Sequence, residues 1–223
     1  FAHCCAVLTS STLKCWGLND VGQLGYGDTT SRIDPSVLPA VGVGSGVVDV
    51  GCGYKHTCAV FSNGNVKCWG EGGQWQLGYT ISVLGIGLTK ALDDEGDSSG
   101  EVEGLGAVDI GVGGDESVSQ VCGGVQHTCA LLQDGRVNCW GSNSQGALGW
   151  SGIEISLASE TAAVLLGTGR TATSISCGDH HTCVLLDDTS VKCWGKNNAG
   201  QLGLGDTNNR GDNFNEMGDN LPA

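Results

Sequence analysis

Apolar residues in this chain come in short runs. Between positions 47 and 70 three follow one another: Val47-Val48-Asp49-Val50-Gly51-Cys52, His56-Thr57-Cys58-Ala59-Val60 and Val66-Lys67-Cys68-Trp69-Gly70. Each run is rich in Val, Cys, Thr or Trp and is bounded by Gly, Asn, Asp or Ser, the pattern of short strands joined by tight turns. The turn between the second and third runs is Ser62-Asn63-Gly64-Asn65 here and Gln133-Asp134-Gly135-Arg136 further along. Asn-Gly and Asp-Gly tolerate positive φ and make hairpins. Asp187-Asp188-Thr189-Ser190, at the matching place near the end of the chain, is a weaker turn. No apolar run approaches the ~20 residues of a membrane-spanning helix.

The pattern repeats. Cys-Trp-Gly occurs at Cys15-Trp16-Gly17, Cys68-Trp69-Gly70, Cys139-Trp140-Gly141 and Cys193-Trp194-Gly195. Each copy has a Cys ten positions upstream (Cys5, Cys58, Cys129, Cys183) and a Leu-Gly pair at one fixed distance downstream (Leu24-Gly25, Leu77-Gly78, Leu148-Gly149, Leu202-Gly203). An internal repeat of this period means a propeller, a solenoid or an array. Trp16, Trp69, Trp140 and Trp194, recurring at one strand end, are expected to be packing anchors between neighbouring units.

The hairpins fix the cysteine geometry. Cys5 and Cys15, Cys58 and Cys68, Cys129 and Cys139, and Cys183 and Cys193 sit symmetrically about their turns. Residues so placed face each other with Cβ atoms about 4.5–5.5 Å apart, so a small adjustment closes a disulfide. Cys4, Cys52, Cys122 and Cys177 remain. The last three end the first strand of their units, as free buried thiols, bridges to neighbouring units or bridges to further chain. Cys4 stands where the second copy has Thr57 and is the candidate for an unusual or intermolecular bond. Zinc is the alternative reading of Cys52, His56, Cys58 and Cys68, but zinc ligands come in closer pairs than these.

The stretch Cys52-Gly53 … His56-Thr57-Cys58-Ala59-Val60 … Gly64-Asn65-Val66-Lys67-Cys68-Trp69-Gly70 resembles the regulator-of-chromosome-condensation repeat family. So do positions 19–28 and 197–206, with their Gly-Gln-Leu-Gly cores. The resemblance implies an all-β propeller, commonly of seven blades, each a small antiparallel sheet of about four strands. Its Cys-bearing version resembles the secreted and cell-surface branch, which includes crinkly-type receptor repeats. The second copy departs from the pattern at Gly72 and Trp75, and the third has Ala147 in place of Gln. On this basis residues 1–223 read as one repeat domain, with blades at about 1–46 (incomplete), 47–106, 107–170 and 171–223 (incomplete) and a long acidic connection over 79–106. The first unit lacks the strand equivalent to Val47–Cys52, so the segment is expected to be part of a larger propeller and to assemble with further chain.

Composition narrows the class. Twelve cysteines on facing strands read as a disulfide framework, and such frameworks persist in oxidising compartments. The formal net charge of −14 argues against nucleic acid, which needs a basic patch. It suits an extracellular surface and basic partners.

Candidate chemistry is thin. His3, His56, His127 and His181 recur at one repeat position and read as hydrogen-bonded structural groups rather than acids or bases, with His180 off-register and exposed. Arg210-Gly211-Asp212 is a candidate binding loop of the adhesion kind; the plainer reading is a connection in which Gly and Asp make the turn. The acidic stretch from Asp93 to Glu103 does not match a calcium-loop spacing and reads as a solvated loop. No frame supports a catalytic constellation, a cofactor or a resident metal. The expected function is a non-catalytic structural or protein-interaction module of the cell surface, with other protein chains, remaining blades of the same polypeptide or self-assembly as partners. The alternatives are a glycan- or ligand-binding ectodomain, with Trp75, Trp150 and Tyr79 as candidate exposed aromatics, a small-GTPase exchange factor, or a secreted enzyme inhibitor.

Overall fold

A computed structural model describes residues 2–79, 95–111, 117–151, 155–156, 158 and 162–223. Its described part is built of four antiparallel sheets. The first pairs β1 (His3–Val7) with β2 (Leu13–Gly17). The second orders β3 (Val47–Cys52), β4 (His56–Phe61) and β5 (Val66–Gly70). The third adds β9 (Ile155–Ser156) outside β6 (Val118–Gly123), β7 (His127–Leu132) and β8 (Val137–Ser142). The fourth orders β10 (Ala172–Cys177), β11 (His181–Leu186) and β12 (Val191–Gly195). One short helix, α1 (Glu101–Gly104), lies in the acidic connection. Asp93 and Asp94, at the start of that acidic stretch, lie outside the described residues. These are the blades of an all-β propeller, numbered 1 to 4 in chain order.

Each blade repeats the same local solutions. The inner strands β3, β6 and β10 each carry one register shift near their start, the bend and extra twist of a bulge. The Gly of each Cys-Trp-Gly closes an outer edge: Gly17, Gly70 and Gly195 bridge to Arg32, Glu95 and Arg210, and Gly141 pairs with Ser156. The hairpin turns place Gly64 and Gly135 at φ 82° and 85°. The fourth copy makes the same turn without glycine, holding Thr189 at φ 70°. A β-branched residue there is strained, so the surrounding pairing imposes the conformation.

The core runs between the sheets. Leu13, Leu24, Val60, Val66, Trp69 and Trp140 are buried in one cluster, and Leu131, Val137, Leu148, Val184, Leu186 and Trp194 in a second. The two clusters abut across blade 3, whose strands β7 and β8 are buried along their whole length.

Candidate functional site

The recurrent polar residues converge on the seams between blades. At the first seam Trp69 donates its indole N–H to the Gln23 carbonyl at 3.1 Å, and the Thr57 hydroxyl donates to the same oxygen at 2.8 Å. The His3 Nε2 lies 2.9 Å from that hydroxyl. A hydroxyl has one proton, already given to the carbonyl, so the imidazole is the donor and the proton sits on Nε2. The second seam repeats this with Trp140, Thr128, the Gln76 carbonyl and His56. The third uses Trp194, Thr182, the Ala147 carbonyl and His127. The side chain of Gln23, Gln76 or Ala147 is immaterial to this contact because the acceptor is backbone, which is why Ala147 is tolerated there.

Burial pushes His3 down to about 4 and His56 and His127 to about 3. These imidazoles are neutral at physiological pH and are committed to the seams. His181 is half-buried and lowered by burial. His180, expected on the surface, is half-buried too; burial lowers it, with Lys196 acting in the same sense.

Glycine lets the blades close on the Trp. A Cβ on Gly25 would stand 2.7 Å from the Trp69 Nε1, and one on Gly78 2.7 Å from the Trp140 Nε1. Both residues have φ above 70°, so a side chain there is excluded by conformation and by space. Trp69, Trp140 and Trp194 are fully buried, whereas Trp16 is half-buried.

The cysteines divide by position. Cys5–Cys15, Cys58–Cys68, Cys129–Cys139 and Cys183–Cys193 are disulfides between directly opposed residues of the hairpins. A fifth bridge, Cys122–Cys177, joins β6 of blade 3 to β10 of blade 4. Cys122 does not stand where Cys52 and Cys177 stand. Those two pair with Thr57 and Thr182, but Cys122 pairs with Cys129, one residue earlier in the strand. A one-residue offset turns a side chain to the other face, and here the offset aims Cys122 at the next blade. Cys4 is an exposed thiol, and burial pushes the Cys52 thiol up to about 12.

The other singled-out residues make contacts within the blade connections. Arg210 gives its guanidinium to the Asp206 carboxylate at 2.7 Å, as Arg32 does to Asp28 at 2.7 Å in blade 1. Asp206 is held below the usual carboxylate range by the Asn208 backbone N–H and by Arg210. Gly211 donates its N–H to Glu216, and Asp212 accepts from Asn209. The tripeptide is thus a worked part of the blade connection. Tyr79, taken as a candidate exposed aromatic, is buried, and its hydroxyl accepts the Cys68 N–H at 3.0 Å. Trp75 and Trp150 are half-buried.

The sequence reading passed over three asparagines. Asn19, Asn143 and Asn197 are buried, and their Oδ1 atoms accept the N–H of Leu24, Leu148 and Leu202 at 2.8, 2.9 and 3.0 Å. They fold the connection so that the following Leu-Gly reaches the seam. Their fixed spacing from Leu-Gly in three copies was the signal; the second copy has Gly72 instead.

Seams, hairpin bridges and repeated antiparallel sheets of two to four strands define a β-propeller of repeated units. Models of the Regulator of chromosome condensation (RCC1) repeat match residues 47–74, 118–147 and 172–201, and a second such model matches residues 15–60. The chain belongs to this repeat family. It is 29% identical to the Ultraviolet-B receptor UVR8 of Arabidopsis thaliana over 94% of its own length and 54% of that protein. It is 31% identical to the probable E3 ubiquitin-protein ligase HERC6 of Homo sapiens over 92% of its length and 18% of that protein. It therefore spans about half or less of these relatives. Among solved structures, human WBSCR16 superposes with a TM-score of 0.71 at 19% identity, over 95% of this chain and 50% of that one. Yeast RCC1 (Prp20), solved bound to Kap60, gives 0.68 at 17% identity over 95% and 46%.

Proposed function

We propose that the chain is a non-catalytic, disulfide-stabilised propeller segment of an extracellular or cell-surface protein, presenting its connecting loops to other proteins. The observation that carries the reading is the set of five disulfides, four within hairpins and one across a seam. Bridges of this density persist in oxidising compartments. His3, His56 and His127 support the non-catalytic part, because their ring protons are engaged in the seams and their charge is suppressed. The acid-rich surface, net −14, favours basic partners. Propellers of this fold do bind proteins, as yeast RCC1 bound to Kap60 illustrates.

The test is a thiol census on the protein isolated from its natural source with immediate alkylation. Ten bonded cysteines, on protein labelled at the surface of intact cells or found in the medium, are expected. Hairpin cysteines recovered as alkylated thiols, in protein confined to the cytosol, would overturn the reading.

A second reading, a ligand-binding ectodomain, rests on one cleft. It encloses about 760 Å³ beside Trp150, Leu165 and Phe214, the last two exposed. The Trp150 indole N–H is buried without a hydrogen-bond partner among the described residues. Trp150→Phe, which removes that donor and trims the ring while keeping an aromatic face, would abolish glycan binding if this reading holds.

A further inference from the structure

One seam holds a thiol beside a disulfide. The Cys52 Sγ, the Cys5 Sγ and a ring nitrogen of His3 all lie within 4.8 Å of one another. Cys52 is a thiol, and Cys5 is bonded to Cys15. Cys15, on β2, stands outside that cluster. Cys52 ends β3, which packs against β1, and the Cys5 backbone N–H acts on its sulfur in favour of the thiolate. A free sulfur thus faces one end of a disulfide across the join between blades 1 and 2.

The other seams lack this arrangement. Cys52 lies opposite Thr57, and at the matching place blade 3 has Gly123, opposite Thr128. Blade 4 has Cys177, opposite Thr182. Cys177 clusters with Cys129 and His127 as Cys52 does with Cys5 and His3, but its sulfur is already bonded to Cys122. Among the described residues, only the seam between blades 1 and 2 has a thiol at this place.

We infer that Cys52 exchanges with the Cys5–Cys15 disulfide, converting a hairpin bridge within blade 1 into a Cys5–Cys52 bridge between blades 1 and 2. The Cys52 thiolate forms a bond to the Cys5 Sγ. The Cys5–Cys15 bond breaks, and its electron pair leaves on the Cys15 sulfur. The proton lost by Cys52 is taken up by Cys15. One thiol and one disulfide enter and the same leave, so neither oxidant nor reductant is consumed. The product joins two blades, as Cys122–Cys177 joins blades 3 and 4, and leaves its thiol at the fully buried Cys15. The propeller thus has two bonded forms, one with the hairpin closed and one with the seam closed. Attack requires the thiolate. Burial holds the Cys52 thiol up at about 12, and the titratable groups that face it are His3 and Cys4 of β1. Exchange is therefore slow at neutral pH and quickens about tenfold with each pH unit below that value.

The inference supposes formed hairpin bridges, as the cell-surface reading does, yet the two fail separately. Cys58–Cys68, Cys129–Cys139 and Cys183–Cys193 report the compartment whichever partner Cys5 has. The experiment is non-reducing peptide mapping over time in the full natural polypeptide, incubated without reductant from neutral to mildly alkaline pH and trapped with N-ethylmaleimide in acid denaturant. A Cys4→Ser variant, run in parallel, takes away the exposed neighbouring thiol. The expected result is label moving from the Cys52 peptide to the Cys15 peptide while a Cys5–Cys52 linked peptide grows in step, about tenfold faster per pH unit. In Cys52→Ser neither the Cys15 label nor the linked peptide should appear. Three results overturn the inference: label fixed on Cys52 at every pH, Cys52 bonded to any cysteine other than Cys5, or Cys15 labelled equally fast in Cys52→Ser. Should a variant fail to fold, the wild-type map decides alone, with fragmentation separating Cys4 from Cys5.

Discussion

The seam between blades 2 and 3 and the seam between blades 3 and 4 share one hydrogen-bond plan and differ in what brings the inner strands together. At the first, a Cβ on Gly51 would stand 2.6 Å from the Val121 carbonyl oxygen, and one on Gly123 2.7 Å from the Gly53 nitrogen. Two backbones approach because neither carries a side chain. The Asp49 carboxylate adds a cross-blade contact, accepting the Val121 N–H at 2.9 Å. At the second seam the same two places are Cys122 and Cys177, and a disulfide spans them. There Gln120 takes the role of Asp49, its side-chain oxygen accepting the Ile175 N–H at 3.1 Å. Propeller blades are thus joined either by close backbone contact or by a covalent bridge over the same relay of His, Thr, carbonyl and Trp.

Removing the part common to both seams is expected to cost most. Trp140→Ala empties a fully buried site and removes one of the two donors on the Gln76 carbonyl; the expected loss is about 3–5 kcal/mol, read by denaturant unfolding. Trp194→Ala should cost a similar amount while the bridge is intact, and a much smaller loss at one seam would break the equivalence.

Next is the bridge. Cys177→Ser opens a loop of sequence separation 55, with an expected loss of about 2–4 kcal/mol in the chain-entropy account. The loss should vanish when wild type and variant are compared under full reduction.

Gly51→Ala is expected to cost about 1–3 kcal/mol by overpacking against blade 3. Ser176→Ala, at the matching exposed position of blade 4, should change stability by less than about 0.5 kcal/mol. Equal effects at the two positions would remove close approach as the reason for the glycine.

Acid acts on every seam at once. The folded values of His3, His56 and His127 lie below the ordinary 6.5, so between 6.5 and about 3–4 the unfolded chain binds more protons than the folded one. Stability is therefore full above pH 6.5 and falls with acidification through that window. The slope is on the order of 1 kcal/mol per histidine per pH unit. His56→Gln should flatten the pH dependence of the unfolding midpoint.

Much of this was readable in the residues. Hairpin cysteines are set by local symmetry about a turn, so Cys58 and Cys68 declared themselves, and Trp69, Trp140 and Trp194 at their strand ends lie in the seams, whereas Trp16 is half-buried. Cys122 did not, although four residues separate it from His127 and three separate Cys52 from His56. That one-residue difference decides which face a side chain takes, and its meaning depends on where the neighbouring blade lies. Tyr79 was misjudged for the same reason: its hydroxyl is satisfied by the Cys68 backbone, a contact that the chain makes only once the connection has folded back. Within the tripeptide Arg210-Gly211-Asp212 the Arg is held by Asp206 four residues earlier, as Asp28 holds Arg32.

The central claim is that the seams knit the blades into one cooperative unit, most tightly where a disulfide crosses. Native-state hydrogen exchange, resolved by strand, tests it directly. With the bridges intact, the amides of β6–β8 and β10–β12 should share one opening free energy, and those of β3–β5 should open at a lower one. Blade 4 exchanging independently of blade 3 while Cys122–Cys177 is intact would contradict the account.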